Sequence, residues 1–150
     1  MKTIRRMTTT ATAIATVGLV GLSAAVASAE PGSEPPATPI ITMVPERPSS
    51  DGLSPFADNP AVVDTHPLNI DSWSRLPERE TLAVHFTTGT PECFGVHAEV
   101  QETADIVAVK LRSGTLPEAT ERACTMIAVF GTLPVALQAP VGDRAVVSIT

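Results

Sequence analysis

Residues 81–112 read TLAVHFTTGTPECFGVHAEVQETADIVAVKLR, and apolar residues recur at every second position in three runs. Leu82, Val84 and Phe86 share one parity; Phe94, Val96, Ala98 and Val100 share another; Val107, Val109 and Leu111 share a third. A period of two is the mark of strands with one buried face. A turn centred on Pro91 sets Phe86 opposite Val96, Val84 opposite Ala98 and Leu82 opposite Val100. A second turn at Thr103-Ala104 sets Val100 opposite Val107, Ala98 opposite Val109 and Val96 opposite Leu111. Both hairpins gather their apolar side chains on one side, as a correct register requires. The stretch therefore predicts a three-stranded antiparallel meander.

Downstream, residues 113–122 (SGTLPEATER) read as a loop, with one helical turn from Pro117 to Arg122. Cys124 to Phe130 is nearly continuous in apolar residues and predicts a fourth strand buried on both faces. Gly131 ends it. Leu133, Val135 and Leu137 alternate as a fifth strand, Pro140 to Asp143 make a turn, and Ala145 to Ile149 form the last strand. The expected class is all-β: a small antiparallel sheet or sandwich of about six strands over residues 81–150. A core of that size is marginal, so a covalent staple is expected to matter.

Upstream, the composition changes. Glu30 to Glu80 holds ten of the fourteen prolines, at 31, 35, 36, 39, 45, 48, 55, 60, 67 and 77. Proline lacks a backbone donor and fixes φ, so regular structure should not propagate. Residues 30–60 are read as a disordered Pro-rich linker, with Ile40 to Val44 as one apolar island. Residues 61–80 are read as an extended segment packing on the domain. In it, Asp71-Ser72 caps a helical turn and Trp73, the sole tryptophan, anchors to the core. Residues 1–29 have the form of a signal peptide: basic Lys2, Arg5 and Arg6, an apolar run, then Ala27-Ser28-Ala29. Cleavage before Glu30 gives a secreted, extracellular chain. No cysteine stands at that junction to carry a lipid, and no later run has the length of a membrane span.

The formal net charge is −6 over the 150 residues. Loss of the three basic residues of the leader makes it −6 − 3 = −9. Such a chain carries no electrostatic footprint for nucleic acid. In an exported chain the only two cysteines, Cys93 and Cys124, are expected to pair, closing a loop of 124 − 93 = 31 positions. The register about Pro91 also sets His85 opposite His97 on the outward face, with Glu99 two residues on. Two imidazoles and a carboxylate are a candidate zinc or copper site, although such a site needs three or four converging ligands. His66, before Pro67, is read as a linker residue, and Asp143-Arg144 as a local ion pair. No nucleophile elbow, zinc-protease helix or phosphate loop occurs. With no free thiol expected, no catalytic residue is assigned and no cofactor is implied.

Four stretches, VVDTHPLNIDSWSRL, HFTTGTPECFGVHAEVQETADIVAVKLRSGTLPEA, RACTMIAVFGTLPVAL and APVGDRAVVS, together resemble a group of small secreted actinobacterial proteins of unknown function. These have a Pro-rich leader before a two-cysteine β-domain and a late G-D-R turn. The resemblance spans roughly Val62 to Ser148 and implies export and an all-β domain, with no site residue attached. The expected function is a non-enzymatic extracellular or cell-envelope interaction module, with a partner protein or cell-wall component. Two alternatives stand beside it. One is a metal or small-ligand binder using His85, His97 and Glu99. The other is a secreted protease inhibitor inserting Leu116 or Arg122 from residues 113–122.

Overall fold

A computed structural model describes residues 38–48 and 52–150; the expected signal peptide and the start of the linker lie outside the described residues. Among the described residues nine strands form two sheets: β1 (Ile41–Met43), β2 (Ser54–Pro55), β3 (Val63–Leu68), β4 (Ser72–Arg75), β5 (Thr81–Thr88), β6 (Phe94–Glu102), β7 (Ile106–Thr115), β8 (Val129–Ala136) and β9 (Ala145–Ile149). The chain is all-β; among the described residues the only helical element is a single 3₁₀ turn, Pro117–Ala119.

The first sheet centres on β7. Its whole length pairs with β6; on its other side it pairs with β9 in its first half and β3 in its second, and β1 extends the sheet beyond β9. The second sheet runs β2-β8-β5-β4. Most pairs are antiparallel, but β2 with β8 and β7 with β9 are parallel. The inner faces meet in one core: Leu82, Val84, Phe86 and Leu133 from one sheet, Val96, Val107, Val109 and Leu111 from the other, each at most 1% exposed. At roughly 1.5–3 kcal/mol for each buried aliphatic or Phe side chain, this alternation supplies most of the drive to fold.

Here the meander is corrected. The β6–β7 hairpin forms, but two residues out of the expected register: Val100 faces Val109, Ala98 faces Leu111 and Val96 faces Ser113. A slip of two keeps every side chain on its own face, so the apolar pattern cannot distinguish the two registers; a slip of one would have inverted them all. The turn is shifted to Ala104-Asp105 because Thr103 receives the chain back directly, its N–H donating to the Ile106 carbonyl and its Oγ1 accepting from the Ile106 N–H. The first hairpin does not form. Between β5 and β6 the chain crosses from one sheet to the other, and β5 pairs instead with β4 and β8. Either arrangement gathers Leu82, Val84, Phe86 and Val96 into one core, with Ala98 packed against it.

The described part of the proline-rich region, read as a linker up to residue 60, belongs to the fold. Strands β1 to β4 all come from residues before 81. Their prolines sit where a missing N–H costs little: Pro55 ends the two-residue edge strand β2, and Pro67 lies on β3, which pairs on one side. Residues 72–75 are a strand rather than a helical turn, because β5 offers Trp73 and its neighbours a full ladder. Trp73 is buried. The outer face of the first sheet is crossed by residues 58–63 at a pair of glycines. A Cβ on Gly95 would meet Val62 at 2.6 Å, and one on Gly114 would meet the Val63 carbonyl at 2.5 Å. Only hydrogen fits beneath that crossing.

Strand β8 departs most from expectation. Residues 124–128 are irregular and largely exposed rather than a doubly buried strand, and β8 runs on unbroken through Gly131 and Pro134. Gly131 is there because the Phe86 and Phe56 rings, 5.4 Å apart edge to face, occupy the space of its absent side chain. Pro134 lies past the end of the β2 pairing, where one side of β8 is open.

Candidate functional site

The two sheets are joined at one end of the core by hydroxyls. Thr88, at the end of β5, and Ser113, near the end of β7, bring their Oγ atoms to 2.8 Å. Ser113 Oγ also lies 3.2 Å from the Gly95 carbonyl, to which it donates. Beyond this pair the sheets diverge around a cleft of about 320 Å³. Thr88 and fully buried Ser113 form its floor, Leu68 and Phe94 line the side of the first sheet, and residues 125–128 cross its mouth. The Phe94 ring packs against Gly89, whose missing side chain leaves room for it.

The crossing segment is held by the disulfide. Cys93 and Cys124 are bonded, with Cα atoms 6.1 Å apart. Cys93 is buried at the β5–β6 crossover, and its carbonyl accepts from the Leu116 N–H. The other end of the segment enters β8 at Val129, paired with Thr88. Pinned at both ends, the segment still turns its large apolar side chains outward. Met126 is 91% exposed, Ile127 58%, and Phe130, opposite Thr87 on β8, 64%. A contiguous set of large apolar side chains in water beside an apolar cleft is the usual sign of a contact surface.

The proposed metal residues do not converge. His85 lies on β5 between Ser72 and Thr132, whereas His97 lies on β6 opposite Arg112. The pairing of the two failed with the first hairpin. Glu99 faces Lys110 at 3.5 Å. Among the described residues no three His, Cys, Asp or Glu side chains stand together as a metal site. His97 instead meets Asp58, Nδ1 to Oδ1 3.0 Å, and the same Oδ1 accepts the Ala98 N–H at 2.8 Å. This contact fastens residues 58–63 to β6.

His85 is buried, and its Nε2 lies 3.1 Å from Ser74 Oγ. Burial pushes its pKa down, so the ring is neutral at pH 7. A serine beside an imidazole is half of a hydrolytic triad. Here Nδ1 has no partner and no carboxylate orients the ring. The pair arises because Ser74 and His85 lie on one face of adjacent strands two residues out of register, a relation the sequence alone does not reveal.

The remaining candidates also resolve. Leu116, whose N–H donates to the Cys93 carbonyl, is half-buried and packs over Gly95, whereas Arg122 is exposed. His66, read as linker, lies on β3 and lines the cleft. Arg144 pairs with Glu102 at 2.7 Å rather than with adjacent Asp143. Burial alone would raise the Glu102 carboxyl. The Gln138 N–H, the Arg144 guanidinium and the Ala139 backbone outweigh that and hold it below the ordinary glutamate value. Sequence reasoning missed the cleft because its walls come from β3, β5, β6, β7 and a loop. The one available signal was the apolar run 124–130, which an exposed contact loop and a buried strand share.

No family model matches the chain, and neither does any curated protein or solved structure with which it was compared. Among the described residues no helix is long and apolar enough to cross a membrane.

Proposed function

We propose that this is an exported, non-enzymatic recognition module, of the kind seen in small secreted actinobacterial proteins, that binds a partner polypeptide of the cell envelope or its surroundings through the disulfide-pinned end of the sandwich. One observation carries the reading: Met126, Ile127 and Phe130 stand in water on a segment held at both ends, beside the apolar cleft. A disulfide suits an oxidising compartment. A pinned loop loses little conformational freedom on binding, which favours affinity. Rigid loops on a β scaffold are common recognition surfaces.

The test is capture from cell-wall extract by tagged protein, comparing wild type with the Met126→Asp/Ile127→Asp double variant. Wild type should retain a defined partner that the variant loses, while both melt at the same temperature. Equal capture by the two proteins, or capture of nothing, refutes the reading.

A further inference from the structure

The hydroxyls at the cleft have fixed hydrogen-bond directions. A carbonyl oxygen only accepts, so the single proton of Ser113 Oγ goes to Gly95. Thr88 must then be the donor in the 2.8 Å contact with Ser113. Thr87 Oγ1, 3.3 Å from Asp71 Oδ2, likewise gives its proton to a group that only accepts. Thr87, Thr88 and Ser113 all line the cleft, and each is left with lone pairs alone. The Thr87, Thr88 and Ser113 hydroxyls therefore offer a ligand acceptors only, while His66 and Thr125, which also line the cleft, can donate as well as accept.

The other walls narrow the ligand. Phe94 offers a ring and Met126 a thioether, both favourable partners for an aromatic ring. A volume near 320 Å³ admits a one- or two-ring group. An ammonium would lose its hydration against Leu68 and Phe94 with no carboxylate among the lining residues. A neutral ring bearing N–H or O–H fits. The exposed rim of Ile127 and Phe130 extends past the cleft, so an isolated ring would leave it uncovered. The chain has no tyrosine, and its one tryptophan is buried in the core. A second copy of this chain therefore presents no exposed indole or phenol.

We infer that the cleft receives a tryptophan or tyrosine side chain of a partner polypeptide, its N–H or O–H donated to Thr88 while flanking apolar residues cover the rim. This rests on the recognition reading above. The probes are indole, benzofuran (the same shape with no donor) and the peptides acetyl-Leu-Trp-Leu-amide and acetyl-Leu-Phe-Leu-amide, titrated into ¹⁵N-labelled protein. Amide shifts of Gly89, Ser113 and Ile127 report occupancy. Indole should bind roughly three- to tenfold tighter than benzofuran, the worth of one neutral hydrogen bond. The Trp peptide should bind about tenfold tighter than indole through rim contacts, and tighter than the Phe peptide. Thr88→Val should erase the donor preference, and Thr88→Ser, which keeps the hydroxyl, should retain it. Benzofuran equal to indole, a Trp peptide no tighter than indole, or shifts absent from Gly89 and Ser113 overturns the inference. If Thr88→Val still captures the envelope partner like wild type while indole leaves the cleft amides unmoved, the module reading stands and the aromatic one falls.

Discussion

The Glu102–Arg144 pair closes the far end of the strands and gives the sharpest quantitative test of the fold. Their side chains are only 10% and 11% exposed. Glu102 joins Arg144 at 2.7 Å and accepts the Gln138 N–H at 2.6 Å. Arg144 also donates to the carbonyls of Ala139 and Pro140, at 2.6 and 2.9 Å, tying the turn before β9 to the end of β6. Glu102→Gln keeps the shape and an acceptor for Gln138 but removes the charge opposite a nearly buried guanidinium. Breaking a fully buried pair from one side costs about 3–5 kcal/mol. The remaining carbonyl partners and the nearby solvent place this case lower, at about 2 kcal/mol at pH 7. Its pH dependence has a definite sign. The Glu102 carboxyl lies below its ordinary value of 4.5 in the folded chain. Its stabilisation is therefore full above that value and is lost as pH falls through the lower, folded one. The gap between wild type and Glu102→Gln should be widest at neutral pH and close on acidification. Urea unfolding at pH 7 and pH 3 measures it. A variant within about 0.5 kcal/mol of wild type at pH 7 refutes the argument, the scale of an ordinary surface substitution. So does a gap that widens in acid.

Other expectations follow from the packing. The intact protein should weigh two hydrogens less than its reduced sum, and Cys93→Ser/Cys124→Ser should lose roughly 3–4 kcal/mol by the loop-entropy model, read by denaturant melts. Gly131→Ala places a methyl 2.5 Å from the Phe86 ring and 2.9 Å from Phe56; a loss of about 1–3 kcal/mol is expected from overpacking, and an unchanged melting temperature contradicts the close approach. His97→Ala removes a contact with an Asp58 side chain that is 45% exposed and should cost under about 1 kcal/mol. If His85, His97 and Glu99 are as separate in solution as in the fold, zinc should raise the melting temperature of wild type no more than that of this variant.

Which side chains are buried was legible from the period-two alternation alone. Val84, Val96 and Val109 are fully buried, as the pattern requires, and the disulfide was expected from the only two cysteines of a chain read as exported. Strand partners were less accessible. Local alternation states which face is apolar, not which strand lies beside it, and a two-residue slip or a crossing between sheets leaves that face unchanged. The contribution of the proline-rich region was hidden for a related reason. Proline excludes a central position in a sheet but not an edge, and only a completed sheet has edges to offer. Residues 124–130 were ambiguous because hydrophobicity measures the drive to leave water, not whether a partner surface exists within the same chain. Because β5 ends at Thr88, opposite Val129, residues 124–128 have no ladder partner on β5. The amino-acid order thus determined what must be hidden and what must be joined covalently. Three-dimensional packing alone decided which apolar side chains remained in water, because only the assembled sheets fix which surfaces find a partner within the chain.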